Sequence, residues 1–116
     1  MTKSTNETIR EIIDFITDLT QKEGITADWR GDYFSNNQLD EIRKVLEKNG
    51  FEVAKIFLAG KINPKGNQME LKKNNIILEL LDKLAEAANL DMQTKSYIVG
   101  KLNPILAVYK KEAGKI

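Results

Sequence analysis

The sequence predicts an all-α protein, a compact bundle of four to six helices, on three observations. Apolar residues recur at three- and four-residue intervals through most of the 116-residue chain. Serine, asparagine or aspartate stands ahead of several of those stretches, where helix N-caps belong. The one segment rich in β-branched and aromatic residues has no companion strand with which to share a hydrogen-bond ladder.

The first element opens at Ser4, whose spacing to Glu7 is that of a capping box, and continues through Ile9, Ile12, Ile13, Ile16 and Leu19, with Phe15 widening the face. Gly24 supplies its stop. A second, short helix starts at Ser35 or Asn36, carries Leu39, Ile42, Val45 and Leu46 as one stripe, and ends before Gly50. Residues 51–59, FEVAKIFLA, permit a strand by composition. Phe51, Ala54, Phe57 and Leu58 also form a helical face, and a solitary strand would leave its backbone groups unpaired, so a third short helix is predicted.

Residues 60–67, GKINPKGN, form an internal connection within a single domain spanning 1–116. The long central helix follows, near residues 68–89. Met69, Ile76, Ile77, Leu80, Leu81, Leu84 and Ala88 draw its main stripe, with Leu71, Leu78 and Ala85 beside it. At 1.5 Å per residue it would run about 33 Å. The stripe reads as the core of a bundle; a homodimer seam is the alternative. Asp91 caps a further helix with Ile98, Leu102, Ile105 and Tyr109 on one face. Pro104 either kinks that helix or, with Asn103 as cap, starts a last one, whose end is marked by Lys110, Lys111 and Gly114.

Composition narrows the function. The chain has no histidine and no cysteine, which removes imidazole acid–base chemistry, thiolate nucleophiles and the usual zinc ligands. Without disulfides the core must stabilise the fold unaided, which suits a cytoplasmic protein. Glu11, Asp14 and Asp18 share helical spacing, but neither they nor any glycine-rich cradle, calcium loop or metalloprotease signature specifies a site. No enzyme activity, cofactor or metal is therefore expected, and no apolar run is long enough for a transmembrane association.

What remains is contact. The formal charge is +1, divided unevenly: residues 1–60 carry eight Lys/Arg against eleven Asp/Glu, residues 61–116 ten against six. The segment ADWRGDYFS, residues 27–35, sets aromatics among charges, and Trp29, Arg30, Asp32 and Tyr33 are its candidate partner-binding residues. The competing structural reading has Trp29 and Phe34 covering the junction of the first two helices, Phe34 stapled to Leu39. Arg30-Gly31-Asp32 matches the three-residue adhesion sequence, a match that chance readily supplies.

Lys72, Lys73, Asn74 and Asn75 form a candidate polar contact patch, although the two asparagines read more simply as solvent-facing. Nucleic-acid binding is an alternative to protein binding. Residues 39–59 mimic a helix-turn-helix with Gly50 at the turn, but the would-be reading helix offers only Lys55, and the C-terminal lysines are dispersed. The sequence thus favours a non-catalytic, regulatory protein-binding module, of inhibitor or immunity type, docking stoichiometrically on another protein. A small nucleic-acid-binding protein and a homodimeric structural protein are the alternatives.

Overall fold

A computed structural model describes residues 3–62 and 65–113. Among the described residues it has six α-helices and no strand: α1 Thr5–Lys22, α2 Asn36–Asn49, α3 Phe51–Ala59, α4 Gln68–Glu86, α5 Met92–Gly100 and α6 Leu102–Ala113. Helix α2 packs on α3 and α5, α4 packs on α1 and α3, and α6 lies against α1 and α5. The Cα radius of gyration is 14.0 Å, close to the roughly 13 Å that a compact domain of this length requires.

The helix boundaries follow local chemistry. The Ser4 hydroxyl accepts the Glu7 backbone N–H at 3.1 Å, the Ser35 hydroxyl accepts that of Gln38 at 3.3 Å, and the Asp91 carboxylate accepts that of Thr94 at 2.8 Å. Each satisfies a donor that an N-terminal turn otherwise leaves without a partner. Helix α1 ends in a Schellman motif: the Ile25 N–H donates to Thr20 O and the Gly24 N–H to Gln21 O, with Gly24 at φ 70° and Ile25 buried.

Gly50 alone joins α2 to α3. Its φ of 88° and ψ of 180° lie in a region open essentially to glycine, so the chain leaves one helix and begins the next without a linker. Glycine serves differently at the α2–α5 crossing, where a Cβ on Gly100 would come within 2.7 Å of Arg43 Cδ. The Arg43 side chain crosses α5 there, held by Asp40 at 2.7 Å and Glu47 at 3.0 Å.

The core is built mainly on α4. Ile76, Ile77, Leu80, Leu81 and Leu84 are each at most 1% exposed and share one buried cluster with Ile16, Leu39, Ile42, Leu46, Leu58 and Val99. Each such side chain contributes roughly 1.5–3 kcal/mol of burial. The leucine stripe is thereby consumed inside the chain, and a homodimer seam through it would require opening the core. Met69 and Ala88, at the ends of the predicted stripe, are exposed.

Near the C-terminal half one expectation is corrected and another is resolved. Helix α4 stops at Glu86 rather than Asn89, and its length is about 28 Å. The Asn89 side chain instead donates to the backbone carbonyl of Lys3 and to the Thr8 hydroxyl at 2.8 Å, fastening the α4–α5 turn to the start of α1. At Pro104 the second of the two expectations holds, a new helix rather than a kink, but Asn103 is not its cap. Helix α5 closes at Lys101, α6 starts at Leu102, and Pro104 occupies the third position, where a helix has no acceptor for an N–H. The first α6 bond runs from the Ile105 N–H to Lys101 O. The stop expected at Gly114 lies outside the described residues, as do the side chains of Lys110 and Lys111.

Candidate functional site

Between α1 and α2 the chain folds residues 28–32 into a small closed turn organised by one carboxylate. Asp28 Oδ1 accepts the backbone N–H of Arg30 at 2.8 Å and of Asp32 at 3.1 Å. The Asp28 N–H donates to Asp32 O and the Gly31 N–H to Asp28 O, with Gly31 at φ 88°. Aspartate with a glycine three residues on is a combination that closes turns through its own side chain. The Asp32 N–H, then the Arg30 N–H and guanidinium, hold the Asp28 carboxyl below its ordinary pKa.

The four residues expected to contact a partner divide into two kinds. Trp29 sits at the tip with 91% of its surface exposed, so it does not cover the junction of α1 and α2. Its indole has the Arg30 guanidinium at 5.5 Å from the ring centroid, within cation–π range. Arg30 is also exposed, and reaches Asp28 at 3.2 Å and Asp32 at 3.7 Å. The arginine and aspartate of the adhesion-like triplet therefore face each other instead of being splayed outward.

Asp32 and Tyr33 turn inward. The Asp32 side chain is 17% exposed and accepts the Asn36 amide at 2.9 Å. Tyr33 and Phe34 are buried at 7% and 3%, which removes Tyr33 from the set of contact residues. Phe34 and Leu39 are both buried in the core.

The residue that holds this segment was not marked by the sequence. Asn103, on the first turn of α6 and 1% exposed, accepts the backbone N–H groups of Tyr33 and Phe34, each at 2.9 Å. Its amide donates to Phe34 O at 2.7 Å and to Asn36 Oδ1 at 2.8 Å. All four hydrogen-bonding positions of the side chain are filled. Its place before Pro104 disguised it as a helix cap. The Asp28 turn, in contrast, had a legible signal in its Asp-x-x-Gly spacing.

The candidate patch at 72–75 does not assemble. Successive helical residues point about 100° apart, and these four fan around α4. Lys72 is exposed and lies 4.0 Å from Glu23; Asn75 is exposed. Asn74 is buried, contrary to its expected solvent-facing position, and its Oδ1 accepts the Gln38 amide at 2.6 Å, pinning α4 to α2. Only Lys73 joins the Trp29 neighbourhood. It lines a cleft of about 460 Å³ with Asp28, Arg30, Asp32, Asn36, Asn37 and Glu70.

A second cleft, of about 580 Å³, lies between α1 and α4. Ile12, Phe15 and Ala87 line it, and the Lys83 ammonium sits 4.6 Å from the Phe15 ring centroid. The α1 carboxylates do not converge on either cleft as a set: Glu11 pairs with Lys3 at 2.7 Å, Asp14 accepts the Tyr109 hydroxyl, and Asp18 is exposed. Among the described residues no group of three or more carboxylates is arranged to hold a metal ion, and no helix is long and apolar enough to cross a membrane.

Comparison with protein-family models, with curated proteins and with solved structures gives no match for the chain.

Proposed function

We propose that the chain is a non-catalytic protein-binding module that docks one partner in fixed stoichiometry through Trp29 and Arg30. One observation carries the reading: an indole 91% exposed on a loop whose backbone is closed by Asp28 and fastened to α6 by Asn103. Tryptophan and arginine are the residue types that most often dominate binding energy, and burying one such anchor contributes about 2–4 kcal/mol. A loop already held in shape loses little conformational freedom on docking. Asp32 and Tyr33 support the contact from below.

A module of this kind inhibits, tethers or regulates its target by occupying it. Its cysteine-free, self-sufficient core is compatible with a cytoplasmic setting. The nucleic-acid alternative has less support at Lys3, Lys44, Lys55 and Lys61, which are matched locally with Glu11, Asp40, Asp82 and Glu41. Phosphate contact would have to displace those carboxylates.

The test is affinity capture from nuclease-treated and untreated lysate of the source cells with wild type and Trp29→Ala, followed by titration of the recovered protein against the intrinsic fluorescence of the single tryptophan. A partner lost by the variant, whose binding shifts Trp29 emission to the blue, is the expected result. Equal recovery by a folded Trp29→Ala protein refutes the site. Recovery that disappears with nuclease treatment favours nucleic acid instead.

A further inference from the structure

The Trp29 indole touches little of the protein, yet it has a defined neighbour, and that neighbour is held by a chain of polar contacts leading into the core. Arg30 lies over the ring at 5.5 Å. The Arg30 Nε is 3.7 Å from Asp32 Oδ2, and the same Asp32 oxygen accepts the Asn36 Nδ2 at 2.9 Å. Asn36 Oδ1 in turn accepts the Asn103 Nδ2 at 2.8 Å. Asn103 is anchored in α6 and, through its Oδ1, on the Tyr33 and Phe34 amides.

We infer that these residues form a directional relay in which Asn103 and Asn36 are positioning residues for Trp29, so that the seating of α6 sets how the indole is presented. The direction follows from donor and acceptor chemistry. Asn103 Oδ1 faces two N–H donors, so its Nδ2 must face Asn36; Asn36 must then offer Oδ1 inward and Nδ2 outward to Asp32. The Asp32 side chain meets Asn36 and Arg30 through its oxygens as acceptors, and the guanidinium of Arg30 has only donors. Reversing any amide sets like groups against each other. The relay ends on a cation whose remaining contact is the indole face and the Asp28 carboxylate, so freeing Asp32 from Asn36 loosens Arg30 and, with it, the ring. The functional meaning of this coupling rests on the docking role proposed for Trp29; the coupling itself does not.

Because the chain has one tryptophan, time-resolved fluorescence anisotropy of the free protein reads the relay directly. Asn36→Ala removes its middle member at an exposed position while leaving the Ser35 cap of α2 in place. The amplitude of fast, local depolarisation of Trp29 rises in Asn36→Ala, while overall tumbling and the melting temperature stay near wild type.

Asn37→Ala, a neighbouring substitution in the same cleft but outside the relay, leaves the decay unchanged. An unchanged decay in Asn36→Ala, or an equal gain in Asn37→Ala, overturns the inference. Loss of a partner in Trp29→Ala without any anisotropy gain in Asn36→Ala removes the relay and retains docking. The gain without any dependence of partner capture on Trp29 retains the relay and removes docking.

Discussion

Replacing Asn103 with alanine tests how much of the fold depends on one buried amide. The substitution removes four hydrogen bonds and leaves the N–H groups of Tyr33 and Phe34 and the carbonyl of Phe34 facing a space that held their partner. Asn36 Oδ1, at the exposed edge, can turn to solvent. Each buried backbone group left unpaired costs about 1–3 kcal/mol, and solvent entering the vacated volume relieves part of it, so a loss of about 3–5 kcal/mol is expected. That is a large share of the roughly 6–17 kcal/mol typical for a domain of this length. Urea unfolding followed by far-ultraviolet circular dichroism measures it, with the slope held near that of wild type, and thermal melting shows a fall of about 12–20 °C. A folded Asn103→Ala protein that loses less than about 1 kcal/mol refutes the claim that this amide pins the loop.

Other outcomes follow from the same structure. Trp29→Ala leaves stability within about 0.5 kcal/mol of wild type, whereas Tyr33→Ala, buried at 7%, costs about 3 kcal/mol; denaturant midpoints separate the two, and a large loss for Trp29→Ala contradicts its exposure. Gly50→Ala forces a side chain into backbone geometry reserved for glycine and costs about 1–3 kcal/mol, read as a lower melting temperature with α2 and α3 otherwise intact. Asp28, Asp40 and Asp91 have folded pKa values held below the ordinary 3.8, by the Asp32 backbone N–H, the Arg43 guanidinium and the Thr94 hydrogen bonds respectively. Their stabilisation is complete above the unfolded value and is lost as pH falls through 3.8 toward the lowered folded values. A melting series across that range shows the decline, and it is shallower in Asp91→Asn.

The parts of the fold that could be read in advance are those encoded within a few residues. Ser4, Ser35 and Asp91 cap helices because the amide each satisfies lies three positions on, and Gly24 and Gly50 end them because the backbone there needs φ above zero. Helix α3 followed from the lack of any strand partner for 51–59. Positions whose role depends on a distant partner were misread. Asn74 looked solvent-facing, but its acceptor meets Gln38 from another helix. Tyr33 looked like a contact residue, but its backbone amide meets Asn103, 70 residues later. For the candidate site the sequence marked the segment and the exposed pair Trp29 and Arg30, while the asparagines that hold it belong to tertiary structure.

The separation between the loop and its anchor also orders events during synthesis. A chain made from its N-terminus has completed the Trp29 turn and α2 well before Asn103 exists. At about 5–20 residues per second, the 70 residues between Tyr33 and Asn103 occupy the ribosome for roughly 4–14 s. During that interval the Asp28 turn can close on its own atoms, but the amides of Tyr33 and Phe34 have no Asn103 to accept them. The finished shape of the loop is thus withheld from the nascent chain until α6 begins to dock.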